Sequence, residues 1–177
     1  RHGFFVAGAL VDRVIRKLHR YRDAGNGRMR NREPGTFWCV LKAAVPVLRG
    51  SGPYASPELD VDMAGLDRLH GPVRLLVATT LAHEDQHFDP YADRGEGALR
   101  VTAVADGASA FWRSLPRLLT GRFSARMTAA QGYLSGRCAS VTITGLDGYT
   151  IDGQSFDCDP GRPVVIRTGL RIPFLTP

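Results

Sequence analysis

The sequence predicts a mainly β domain with about three peripheral helices, and the patterns at its two ends carry that expectation. Near the start, a short apolar run reads as a strand ending at Gly8, after which Val11, Val14, Ile15 and Leu18 recur at the spacing of an amphipathic helix. Near the end, Val141 and Ile143 alternate with Ser140, Thr142 and Thr144, and the same period returns in Val164 with Ile166 and in Leu170 with Ile172. That period of two predicts three short strands. A chain of 177 residues, 44% hydrophobic and 23% charged, fills one core and not two, so residues 1–177 are expected to form a single domain.

Between those ends the elements follow in order. On the first helix Arg13, Arg16, Lys17 and Arg20 fall off the apolar stripe and are expected to face solvent. Residues 23–35, rich in Gly, Asn, Arg and Pro, read as a loop. Thr36 can cap a second helix carrying Phe37, Leu41 and Leu48 on one side, with Pro46 as a kink. Residues 50–57 are Gly, Ser and Pro punctuation. Glu58 to Asp62 and Leu66 to His70 predict a hairpin around a Met-Ala-Gly turn, and Val73 to Thr79 a separate buried strand behind Pro72. Leu99 to Ala105 alternates as a strand and Asp106-Gly107 is a turn. Ser109 then caps a third helix with Phe111, Leu115, Leu118 and Leu119 inward, Pro116 as an irregularity and Trp112 in core or rim packing. Residues 121–136 read as a linker.

The net charge of +6 is concentrated. From Arg13 to Arg32 eight Arg or Lys residues face one acid, Asp23, a pattern that fits either a solvated face or attraction to phosphates and anionic lipid headgroups. Cys39, Cys138 and Cys158 are odd in number and lack Cys-x-x-Cys spacing, which points to reduced thiols and a cytoplasmic setting. No signal peptide is visible, the run from Phe4 to Val11 is too short to cross a bilayer, and the start at Arg1 suggests a piece of a longer chain.

Two motifs bear chemistry. His83-Glu84-Asp85-Gln86-His87 is a literal H-E-x-x-H, which on a helix could hold zinc while Glu84 polarises its water, the arrangement of a zinc hydrolase. Phe88-Asp89-Pro90 stops such a helix at once, so an exposed polar loop is the preferred reading. The other is Asp152-Gly153, an acid and a glycine between two strands. On chemistry alone it is a hairpin turn, the commonest use of that dipeptide; in that position it also presents a carboxylate at a sheet edge.

The chain resembles the C-terminal domain of the diacylglycerol kinase and sphingosine kinase family of lipid kinases. The residues that carry the resemblance are Ile151-Asp152-Gly153-Gln154, where the family has Asp-Gly-Glu after a strand; the Pro90-Tyr91-Ala92 segment running on to Gly95-Glu96-Gly97; Ala7-Gly8-Ala9-Leu10-Val11-Asp12; and Gly35-Thr36-Phe37. The resemblance spans nearly the whole chain. It implies two packed antiparallel layers, β-sandwich-like, with the nucleotide-loop domain and its Gly-Gly-Asp-Gly-Thr motif absent from these residues.

It also implies site roles. Asp152 resembles the family's catalytic acid, with Gly153 and Gln154 beside the nucleotide, although Gln154 replaces a Glu and cannot hold a cation as well. Arg22 and Arg30 stand near positions at which sphingosine kinases hold nucleotide phosphates, a task suited to a planar guanidinium. Asp12 matches a substrate-binding acid, while Val14 replaces the second one, which weakens a sphingosine assignment. Glu96 takes the place of an Asp that binds a structural Mg ion in some bacterial members. At His83 to Asp85 bulky residues replace a glycine-rich loop, a departure from the pattern.

The function expected from this resemblance is the lipid-recognising half of an ATP-dependent lipid kinase, inactive alone and dependent on ATP and Mg with the missing nucleotide-binding domain. A non-catalytic lipid-binding module derived from that family is the alternative, and the zinc hydrolase is a third. The expected partners are a lipid substrate, the missing domain and peripheral contact with an anionic membrane, and no nucleic acid.

Overall fold

The structure, a computed structural model, describes residues 1–23, 55–81 and 89–169. It is built from antiparallel strands with few helices. In chain order these are β1 (Phe5–Gly8), α1 (Ala9–Asp23), β2 (Glu58–Met63), β3 (Asp67–Thr79), β4 (Leu99–Ala105), α2 (Phe111–Leu119), β5 (Tyr133–Cys138), β6 (Ser140–Thr144), β7 (Gly148–Ile151), β8 (Gln154–Asp157) and β9 (Val164–Arg167), with a 3-10 turn at Ala129–Gln131. The helix expected from Thr36 and the strand expected at Leu170 and Ile172 lie outside the described residues, as do His83, Glu84, His87 and Arg30.

Strand β3 organises the sheets. The sequence pattern suggests two strands here, but β3 runs unbroken for 13 residues, because Gly71 at φ 122 lets the chain bend without breaking the ladder. Its first half pairs with β2, which continues to β6 and β9; its second half pairs with β1 on one side and β4 on the other. Beyond β1 come β7 and β8, and beyond β4 comes β5. Both halves turn apolar faces to one core that includes Val61 and Met63 of β2, Leu76 of β3, Val101 of β4, Leu134 of β5 and Ile143 of β6. Along β2 and β6 burial alternates, one face in the core, as the period of two requires, whereas β4 and β5 are buried on both faces.

A second, smaller cluster lies under α2, where Phe111 and Leu118 meet Val104, Met127 and Tyr133. Residues 121–136 are therefore no linker. Phe123 and Met127 pack into this cluster, and β5 already begins at Tyr133. The glycines that suggested a linker serve close approach: a Cβ on Gly136 would lie 2.6 Å from the carbonyl oxygen of Arg94. Ser109 does not cap α2; the capping residue is Ala110, at φ 51, and no side-chain cap is made. The backbone of Ser109 is instead tied to the following segment, its N–H to the carbonyl of Gln131 and its carbonyl to the Tyr133 hydroxyl. Trp112 is 56% exposed and packs only at the rim, its ring edge-on to Phe111 with centroids 5.2 Å apart.

Candidate functional site

The candidate site grows from the β7–β8 hairpin. Asp152 and Gly153 take φ values of 47 and 84, the left-handed pair that a two-residue hairpin turn demands, which is why an Asp-Gly dipeptide sits there. The carboxylate of Asp152 reaches across to the first strand. One oxygen accepts the Phe4 N–H at 2.9 Å and the other the Phe5 N–H at 2.8 Å, while the Asp152 N–H donates to the Phe5 carbonyl at 3.0 Å. Gly3 is needed for this approach, since a Cβ there would stand 2.0 Å from Cγ2 of Ile151.

Around this turn lies a shallow hollow of about 290 Å³ lined by Arg1, His2, Ile151, Asp152, Gln154 and Phe156. The Arg1 guanidinium stacks 4.0 Å over the Phe156 ring, so a cation, an imidazole, a carboxylate and an amide border one space. Gly153 leaves its own side open: a Cβ at this position would meet nothing within 4 Å. Each Asp152 oxygen, having accepted one N–H, keeps a lone pair for a hydroxyl or a cation.

Asp12 approaches the same hairpin from α1 but is buried, with 3% exposure, and does not line the hollow. It accepts the Thr150 hydroxyl at 2.5 Å and Nε of Arg16 at 2.6 Å. Arg16 spends its other nitrogens on Asp157 and the Phe156 carbonyl, each at 2.6 Å. Burial opposes the charge of Arg16, but its bonds to Asp12 and Asp157 outweigh that and hold its pKa above the usual value. Arg13 likewise turns inward, to the Ala55 carbonyl at 2.7 Å and to Asp147 at 3.1 Å. The expectation that Arg13 and Arg16 face solvent is thus corrected: Asp147 just before β7 captures the first, and Asp157 of β8 with Asp12 of α1 itself captures the second.

Glu96 belongs to another place. It is exposed between Gly95 and Gly97, both at positive φ and both pressed against the β5 backbone. In the sheet, β1, β3 and β4 stand between β7 and β5, so Glu96 and Asp152 are at opposite edges. Among the described residues no group of three His, Cys, Asp or Glu side chains is placed to hold a metal ion. The backbone of Arg22 belongs to the last turn of α1, and its side chain lies outside the described residues, as does Arg30 altogether. Arg1, His2 and Phe156 escaped the sequence reading, since nothing local ties the first two residues to a turn near position 152.

No family profile matches the chain, and no curated protein matches it. Among solved structures it is similar to one described as "putative diacylglycerol kinase from Bacillus anthracis str. Sterne", with 10% sequence identity and a TM-score of 0.40. The match covers 94% of this chain and 54% of the other, so the chain spans about half the length of that protein. The likeness is a distant one and assigns no activity. Among the described residues no helix is long and apolar enough to cross a membrane.

Proposed function

We propose that this chain is the lipid-recognising half of an ATP-dependent lipid kinase of the diacylglycerol and sphingosine kinase kind, working with a nucleotide-loop domain outside these residues. The observation that supports this most is the Asp152 turn, an acid fixed by backbone N–H groups at the start of β1 beside an open hollow that Arg1, His2 and Gln154 also line. Phosphoryl transfer to an alcohol needs an acceptor for the hydroxyl proton and cations near the phosphates. In this reading Asp152 orients the lipid hydroxyl and accepts its proton, and Arg1 and His2 face the transferred group. ATP with Mg supplies the phosphoryl group; Gly153 and Gln154 border the place where its phosphates would enter, and Arg22 and Arg30 are further candidates to hold them. Glu96 offers a single carboxylate, so no step is routed through a metal there. Asp12, buried beneath the hairpin and held by Arg16 and Thr150, fits a positioning role better than direct substrate contact.

A second reading, a non-catalytic lipid-binding module, is favoured by the same carboxylate: both Asp152 oxygens already bind backbone N–H groups, which is a structural use. Asp152→Asn in the complete polypeptide separates the two. The kinase reading expects lipid phosphorylation to fall by about 100-fold or more with the fold retained, the range of a lost general base. The module reading expects no ATP-dependent turnover even before mutation and a lowered melting temperature after it. Residues 1–177 alone are expected to phosphorylate neither diacylglycerol nor sphingosine nor ceramide.

A further inference from the structure

Helix α2 buries Phe111 and Leu118 and turns Trp112, Arg113, Pro116 and Arg117 outward. Trp112 and Pro116 are one turn apart, and so are Arg113 and Arg117, which makes an apolar ridge beside a cationic one. At the helix end the Arg122 N–H bonds to the Arg117 carbonyl at 2.9 Å, which keeps the exposed Arg122 next to the same stripe. From Gly107 to Leu146 the sequence contains no Asp or Glu. Among the described residues Arg113, Arg117 and Arg122 make no ion pair, whereas Arg13, Arg16, Arg68, Arg74, Arg100, Arg137 and Arg162 all do. Arg74, beside the amino end of the ridge, is paired to Asp106 and lies 4.9 Å over the Phe111 ring, so it braces the helix from below.

We propose that this face of α2 docks on a membrane surface carrying anionic lipid. Unpaired arginines supply the long-range attraction to the headgroups, and an exposed indole flanked by proline gains by entering the boundary between headgroups and acyl chains. An open hollow of about 510 Å³ beside the ridge, bordered by Trp112, Arg113 and Asp106, gives a headgroup room next to Arg113. The inference rests on the residues of α2 and not on the kinase reading. Docking is measured without ATP, so its failure would leave the Asp152 reading standing, and the reverse holds as well.

The test uses phosphatidylcholine vesicles with and without phosphatidylserine. The protein is expected to prefer the anionic vesicles, with affinity falling as salt rises. Reversing Arg113, Arg117 and Arg122 to Glu is expected to weaken that binding by about 100-fold or more, from the contribution of each Arg near such a surface. Reversing Arg20, Arg162 and Arg167 changes net charge equally and is expected to cost less than about tenfold. With Trp38→Phe removing the other indole, Trp112 emission is expected to shift to the blue on anionic vesicles. That readout leaves the α2 face itself unmutated. Equal losses from the two triple variants, an unshifted Trp112 emission, or displacement of the vesicles by a duplex oligonucleotide would each overturn the proposal.

Discussion

Helices α1 and α2 are both amphipathic and both rich in arginine, yet they spend their charge in opposite ways. On α1, Arg13 and Arg16 are drawn inward by Asp147, Asp12 and Asp157. On α2, Arg113 and Arg117 meet no acid among the described residues and project outward. The richer run of basic residues in the sequence is thus partly neutralised in the fold, while the sparser one carries a free positive field. What decides this is largely the set of strands each helix is packed against: Asp147 and Asp157, two of the acids that capture Arg13 and Arg16, lie 134 and 141 positions away. A cluster of positive charge in a sequence becomes a surface only after the fold has taken its share.

The contrast can be broken by substitution, and the largest effect is expected at Arg16. Arg16→Ala strands the buried Asp12 carboxylate and two further acceptors, and is expected to lower the unfolding free energy by about 3 kcal/mol in denaturant titration. A loss below about 1 kcal/mol would mean that the α1 network is ornamental. Arg13→Ala removes a pair whose acid is largely exposed and is expected to cost only about 0.5 to 1 kcal/mol. Arg113→Ala and Arg117→Ala are expected to change stability by no more than about 0.5 kcal/mol, because nothing in the fold leans on them.

A finer probe of the α1 side is Cys158, which hydrogen-bonds the Leu146 carbonyl at 3.1 Å. Burial raises its pKa, the Asp147 carboxylate adds to the rise, and Arg16 opposes it. Its contribution to stability is accordingly present below the ordinary thiol pKa and lost as pH climbs through the raised value. Alkylation of native Cys158 at mildly alkaline pH is expected to run at least about tenfold slower than in the unfolded chain. Removing Arg16 should slow it further in any molecules that remain folded. A rate equal to that of the unfolded chain would show that the hairpin does not shield this thiol.

Local order was legible in the sequence where the deciding forces are local. The alternation of Leu99 to Ala105 gave β4 its bounds, and the Asp152-Gly153 dipeptide marked a left-handed turn because few other pairs tolerate those φ values. The expectation failed where remote contacts decide. Pro72 reads as a break, yet β3 passes through it, since pairing with β2 on one side and with β1 and β4 further on holds the bent strand together. Gly132 and Gly136 read as a linker because their role, close approach to Ala108 and Arg94, appears only once distant backbone is in place. The hollow at Asp152 was half visible for the same reason: its turn is encoded by neighbours, whereas Arg1 and His2 arrive from the far end of the chain.

The place of β1 has a further consequence, for synthesis. It sits between β3 and β7, and the N–H groups of Phe5 and of Phe4 just before it wait for a carboxylate 147 and 148 positions later. A ribosome adding roughly 5 to 20 residues per second delivers that partner on the order of ten seconds after β1 has emerged. Over that interval one edge of the first strand has no neighbour to bond, and Asp12 lacks the Thr150 hydroxyl that later covers it. The nascent chain therefore carries that open backbone edge until β7 is made, and the hairpin that bears the candidate site is also the piece that covers it.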